Sequence, residues 1–326
     1  MSQCQSLILR GADPTVTIED VTALEIFAGS FSTTLCDDPS QRAIGIALIS
    51  QSAHFRAEKD RDAAFLLAAR LSDLETLERC VTPGQNMNQG FKVPNTIGLS
   101  LTPLEAAIEY RQATAIKWLF DHGASAKNSP KALLYAVGQD DLKLVRTLIA
   151  HGADPNNASA LSTAIYPGQG DILDALLVAG AKVSPSLLIT AISLKDRALV
   201  QKLLDYKAAV NSTEETGMTP LLFAVNTKKM GMCRLLLEYG ADPAQTTTLY
   251  YYASIYGGTL KAKFGTDSGA IRISRTDYLE YLASPDPRRR KGLQVEQNVS
   301  AISLAQREGN TPLMQLLTQS RFAKQK

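Results

Sequence analysis

Four cysteines, three histidines, a cluster of tyrosines and one basic run are the side chains here that could do chemistry. Cys4, Cys36, Cys80 and Cys233 stand far apart and form no C-x-x-C pair. Neither a zinc site nor a redox dithiol is spaced for. They read as free thiols, in keeping with a reducing compartment. His54, His122 and His151 are equally scattered. His122 and His151 each precede a glycine that ends a leucine-rich run, which places them at helix C-termini, where imidazole meets free carbonyls. No acid–base partner recurs beside them. H-E-x-x-H, G-x-S-x-G and the phosphate loop G-x-x-x-x-G-K-[ST] are all missing from the sequence. Gly257, Gly258 and the glycines around Gly265–Gly269 read as loop punctuation. No catalytic, cofactor or metal residue is assigned, and the protein is expected not to be an enzyme.

Arg288-Arg289-Arg290-Lys291 follows Pro285-Asp286-Pro287 and lies near Tyr250, Tyr251, Tyr252, Tyr256, Tyr278 and Tyr281. Tyrosine and arginine are enriched at interface hot spots. The run reads as a solvated loop, as an electrostatic contact for an acidic partner, or as a nuclear address. Of the tyrosines, Tyr256 is expected to be exposed. A net charge of +2 over 326 residues gives no general attraction to nucleic acid. No apolar run reaches the roughly 20 residues that span a bilayer. The start, MSQCQSLILRGADP, lacks the basic and long apolar parts of a secretory signal. A cytoplasmic protein without membrane contact is expected.

The elements that must position any site come from a repeat. Leu7–Pro14 (LILRGADP) returns as LFDHGASA, LIAHGADPN, LLVAGAKV, LLDYKAAVN and LLEYGADPA, at roughly 27 to 33 residues in the core. Six units align if Gly84, Gly123, Gly152, Gly180, Lys207 and Gly240 share one slot. Fifteen residues earlier lie Ala69, Ile108, Val137, Ile165, Ile192 and Val225, each after an alanine. Thr102-Pro103-Leu104 and Thr219-Pro220-Leu221 open two units. Threonine caps a helix, and proline suits its first turn, where no N–H is needed. Leu142, Leu144, Val145, Leu148 and Ile149 give a second helix with an apolar face. The glycine after it takes a left-handed conformation, so Lys207 is expected to be strained. A unit this small cannot bury its own apolar face, and stability comes from stacking.

This pattern resembles the ankyrin repeat, in which Thr-Pro-Leu-His-x-Ala-Ala precedes a second helix ending Leu-Leu-x-x-Gly-Ala. The resemblance implies an all-α ankyrin-repeat solenoid. Where the family has histidine, this chain has Glu105 and Leu222, which puts the usual hydrogen bond in doubt. Connections after Gly123, Gly152 and Gly180 are short, so the β-hairpin fingers should be cropped there. One solenoid over 1–326 is expected, with irregular units over 1–60, core repeats over 62–244, an insertion-bearing unit over 245–299 and a capping helix pair over 300–321. Within the irregular ends, Thr22–Glu25 and Thr248–Ala253 are read as helix openings, Ala43–Ile49 as a paired helix, Tyr278–Leu282 as a resumed unit and Arg321–Lys326 as a frayed tail.

The resemblance further implies a non-enzymatic scaffold that binds another protein through its concave face. Family groove positions fall on Arg70, Leu71, Glu109, Tyr110, Gly138, Gln139, Tyr166, Pro167, Ser193, Leu194, Asn226 and Thr227. The partner-binding set is Glu109, Tyr110, Gln139, Tyr166, Asn226, Thr227 and Tyr256, with Tyr110 and Tyr166 as aromatics outside the core. Three roles stay open beside a general adaptor: an immunity protein that occludes a toxin's active site, a microbial effector that binds a host protein, and an enzyme with its site in the irregular ends.

Overall fold

The computed structural model describes residues 17–18, 21–22, 39–51, 58–81, 86–92, 100–166, 168–253, 270–273, 275–283 and 293–323. They divide into two compact units, Met1–Ala181 and Lys182–Lys326.

In the first unit, four helix pairs follow one another: α2 (Glu58–Leu71) with α3 (Leu74–Cys80), α4 (Pro103–Glu109) with α5 (Ala113–Asp121), α6 (Ala132–Gly138) with α7 (Leu142–Ala150), and α8 (Ala158–Ala164) with α9 (Gly170–Val178). Before them, α1 (Pro39–Gln51) contains the expected Ala43–Ile49 helix and packs on α2 through Ile44, Leu48 and Ile49. Thr22 ends β2 (Val21–Thr22), which pairs antiparallel with β1 (Thr17–Ile18), and Ala23–Glu25 of the expected helix opening lie outside the described residues. Among the described residues of this unit a finger is seen where β3 (Phe91–Lys92) pairs with β4 (Ser100–Leu101). The linkers after Gly123 and Gly152 carry no strand, as their shortness predicts.

The caps explain why the helices start where they do. Thr102 and Glu105 form a capping box, with Pro103 in the first turn. Asn157 and Asp141 accept from backbone N–H groups three residues on, at 2.9 Å each. Glu105 also resolves the missing histidine. It is 2% exposed; one carboxylate oxygen accepts from Thr102 N at 2.9 Å and the other from Lys131 N, in the next pair, at 2.8 Å. A carboxylate thus links neighbouring repeats where the family uses imidazole. The alanine ladder does what its size predicts: Ala107, Ala136, Ala164 and the residues after them are buried, letting consecutive first helices touch.

In the second unit, α10 (Pro185–Ser193) pairs with α11 (Arg197–Asp205) and α12 (Pro220–Asn226) with α13 (Met230–Glu238). Thr248–Ala253 opens no helix. It belongs to β5 (Thr247–Ala253), the central strand of an antiparallel sheet with β6 (Ala270–Ile273) on one side and β7 (Leu293–Val299) on the other. Tyrosine and threonine suit a pleated strand better than a helix start. Tyr278–Leu282 lies in α14 (Arg275–Ala283), which contacts β5 and β7 and buries none of its side chains fully. The last pair, α15 (Ala301–Arg307) and α16 (Thr311–Ala323), packs on α12 and α13. Helix α16 runs through Ala323, past the start of the tail expected at Arg321, and residues 324–326 lie outside the described residues. Leu7–Pro14, Gly84, Tyr256 and Arg288–Lys291 lie outside the described residues.

Two left-handed slots recur per repeat. The one after the second helix holds Gly123, Gly152, Gly180 and Gly240 at φ between 89° and 94°, and Lys207 at φ 60°. The other reverses the chain between the two helices, twelve residues earlier, at Arg111, Asp140, Gly168, Lys195 and Lys228. Only Gly168 in that set is a glycine. Because the left-handed region brings Cβ against the carbonyl, Lys207→Gly and Lys195→Gly should each stabilise the protein by about 0.5–1 kcal/mol in urea unfolding. A lower unfolding midpoint in both variants would contradict this.

Candidate functional site

The side chains that could meet a partner sit where each first helix ends and the chain turns. In the first unit these are Arg70, Glu109, Tyr110, Gln139 and Tyr166. Burial sorts them. Arg70 is 4% exposed, and its guanidinium lies over the Tyr110 ring, 5.1 Å from the centroid. The same guanidinium stands 4.0 Å from the Glu109 carboxylate. Burial pushes the Glu109 carboxyl up, and Arg70 opposes that shift. The neighbouring Tyr135 phenol is pushed up to about 12, first by burial and then by Glu109 and Glu105. This cluster is built into the stack.

Tyr110 therefore departs from expectation. It is 8% exposed and packs as core beneath Arg70, because its ring folds back against the preceding repeat. Leu71 is buried likewise. Gln139 is half-buried and already engaged: its Nε2 donates to Ile108 O at 2.7 Å and to Glu109 O at 3.3 Å. Gln169 does the same for Val137 O at 3.0 Å. In the second unit the Lys229 ammonium donates to Ile192 O and Ser193 O. Each is a long polar side chain that satisfies the open carbonyls of the preceding repeat's first helix. Sequence reasoning missed this device; the signal is a Gln or Lys directly beside the left-handed turn residue.

Tyr166 behaves as anticipated. It is 55% exposed, and its hydroxyl has no partner among the described residues. In the second unit Leu194 and Thr227 are exposed and Asn226 is half-buried. The Thr227 hydroxyl donates to Phe223 O at 2.8 Å.

Among the described residues, two cysteines and two histidines are engaged in structure, while Cys4, Cys36 and His54 lie outside them. Cys80 and Cys233 are buried, and burial pushes each thiol up to about 12, far from a reactive thiolate. His122 and His151 cap the C-termini of α5 and α7, as their position before glycine predicts. Nδ1 of His122 lies 2.7 Å from Trp118 O, and Nδ1 of His151 lies 2.9 Å from Thr147 O. Their rings stack on Trp118 and Phe120 at 3.8 and 3.9 Å between centroids. Among the described residues, no three His, Cys, Asp or Glu side chains converge on a possible metal position, and no helix is long and apolar enough to cross a membrane.

Comparison with known proteins places this geometry. A family model described as ankyrin repeats (3 copies) matches residues 65–159, 104–187 and 187–263, together more than half of the chain. The ankyrin repeat protein FPV219 of fowlpox virus (strain NVSL) is 34% identical over 132 residues, covering 37% of this chain and 30% of that protein. The ankyrin repeat protein YahD of Escherichia coli (strain K12) is 26% identical over 198 residues, covering 58% of this chain and 85% of that protein. The chain thus spans under a third of the viral relative and most of the bacterial one. Among solved structures, the ankyrin repeat domain of Bcl-3, described as a unique member of the IkappaB protein family, is similar at 22% identity. It covers 56% of this chain and 88% of that domain, with a TM-score of 0.45.

Proposed function

The chain belongs to the ankyrin repeat family, and we propose from that membership that it binds another protein through the concave, first-helix face of its first unit, with Tyr166 as the anchor. Ankyrin repeats are in general protein–protein interaction modules. The observation that carries the reading is Tyr166 itself, a large aromatic side chain left 55% exposed on a face whose other aromatics are packed inward. A tyrosine offers large contact area at low entropic cost. The face around it stays open because the linkers after Gly123 and Gly152 have no fingers to cover it. Glu109, Tyr110 and Gln139 support the surface from beneath: the ion pair, the cation–π contact and the capping amide hold its backbone rigid. Binding then costs little ordering of the scaffold. Gly138 and Asp140 are exposed beside them and give the partner's backbone room to approach.

In the second unit, taken by itself, Asn226 and Thr227 are the candidate polar contacts at the matching positions, and Tyr256, outside the described residues, is carried as a further candidate from the insertion. The partner is a protein, and no cofactor or catalytic step is invoked. The test is site-specific photocrosslinking in the native cell. A photoreactive phenylalanine at position 166 should capture one protein species that the same probe at Val178, on a second helix, does not. Capture of the same species equally from both positions, or from Val178 alone, would place the partner elsewhere.

A further inference from the structure

On the second-helix side of the first unit, α5 and α7 enclose a trough that the repeats do not use for their own packing. Helices α7 and α9 pack closely, whereas α5 and α7 are in looser contact, and a cleft of about 740 Å³ opens between them. Its floor is apolar. Ile116 is buried there, and Phe120 and Leu144 are only half-buried. Leu144 lies on the stripe that helical periodicity directs inward, yet only Val145 and Leu148 of α7 are fully covered. The stacked pair Phe120–His151 bridges the two helices at one end and props them apart.

The rim is charged. Arg111, Lys117 and Lys143 line the trough, and all three are exposed. None of them enters an ion pair among the described residues. Against them stand Asp121 and Asp141, and the Asp141 carboxylate is already committed to Leu144 N at 2.9 Å. Three cations thus face two carboxylates, which leaves the rim one positive charge in excess. The next cleft along, about 550 Å³ between α7 and α9, has the opposite balance, with Arg146 beside Asp171 and Asp174.

We propose that the α5–α7 trough is a second docking surface, independent of the first-helix face, and that it takes an amphipathic helix of a partner protein carrying an acidic flank. Two parallel helices held apart leave a channel into which a third helix can lay apolar residues three and four positions apart. The apolar floor, running from Ile116 to Phe120 on one side and along Leu144 on the other, receives that stripe. The cationic rim selects the flank, because charge complementarity sets specificity and association rate at such an edge. The volume lies in the range of binding clefts, but the trough is open along its length, which suits a rod-shaped occupant over a small molecule.

The probe is a fluorescein-labelled peptide of ~15 residues with leucine at i, i+3, i+4 and i+7, glutamate flanking that stripe, and alanine elsewhere. Fluorescence anisotropy against the full chain should show saturable binding. Replacing the peptide's glutamates by lysines, or reversing the rim with Lys117→Glu plus Lys143→Glu, should weaken it by at least about tenfold. Arg111→Glu should shift it in the same direction, and circular dichroism checks that each variant is folded. Tyr166→Ala should bind the peptide as the parent does. Absence of saturable binding overturns the proposal, as does binding indifferent to the charge of peptide or rim. Loss of binding in Tyr166→Ala would move the peptide to the first-helix face and overturn it too.

Discussion

A chain ending at Asn298 is expected to melt at least about 10 °C below the full-length protein, or to aggregate on expression. The residues removed are the α15–α16 pair and the last residue of β7. Leu304, Leu313 and Leu317 are buried there, together with Ala301 and Ala305, against α12 and α13. Fully burying one leucine is worth about 1.5–3 kcal/mol, so the three contribute roughly 5 kcal/mol or more. For a protein of this size each kcal/mol moves the melting point by a few degrees. The outward face of the pair is polar: Gln306, Arg307, Gln315 and Gln319 are exposed. Truncation exchanges that face for the apolar sides of α12 and α13, which is why aggregation accompanies the loss. Differential scanning calorimetry and size-exclusion chromatography on the two chains decide it. An unchanged melting point in a monomeric truncated chain would show that the pair is not a cap.

Gly217→Ala is expected to cost about 3 kcal/mol. Gly217 lies at φ 83°, and a Cβ built there would meet Thr248 O at 2.1 Å. The turn over 214–218 closes on itself, with Glu214 N donating to Met218 O at 3.0 Å. It also receives the sheet: the Thr247 hydroxyl donates to Gly217 O at 2.7 Å. Neither side of the contact can yield cheaply, because both are backbone. The left-handed conformation adds its own penalty of about 1–2 kcal/mol for a residue with Cβ. Gly309→Ala is the internal control. Gly309 sits at φ 62° with nothing within 4 Å of an added Cβ, so only the conformational penalty applies. Urea unfolding should therefore show a clearly larger loss for Gly217→Ala. Equal losses would mean that the turn and β5 are not in contact in solution.

Much of this architecture can be read from the chain because the repeat writes the same physics several times. An alanine followed by a branched or small residue marks each first helix. The glycine slot marks each second-helix end, and its register alone places Lys207 in the left-handed region. The turn between the helices is hidden for a physical reason. Beside Gly168, its slot is filled by three cations, Arg111, Lys195 and Lys228, whose type does not announce a positive φ, and by Asp140. Thr248 misleads because a threonine after an ankyrin-like ending suggests a helix cap, while the run behind it, Leu249–Tyr252, favours a strand. The candidate face is legible in position but not in burial. Alignment puts Tyr110 and Tyr166 in related places, and only the structure shows that Arg70 covers the first while the second stays 55% exposed. Glu105 illustrates the converse. Its departure from the family histidine looks like a lost bond, yet its two oxygens serve two backbone donors at once.

The most direct test of the central claim is a paired measurement on Tyr166→Ala: affinity for the protein captured by the position-166 crosslinker, and melting temperature. The account predicts that affinity falls by roughly 30-fold, a hot-spot loss of about 2 kcal/mol, while the melting temperature stays within about 1 °C of the parent. Tyr110→Ala, which empties a buried site beneath Arg70, should instead lower the melting temperature by several degrees, as expected for a core truncation of about 3 kcal/mol. Unchanged affinity in Tyr166→Ala would contradict binding through the first-helix face.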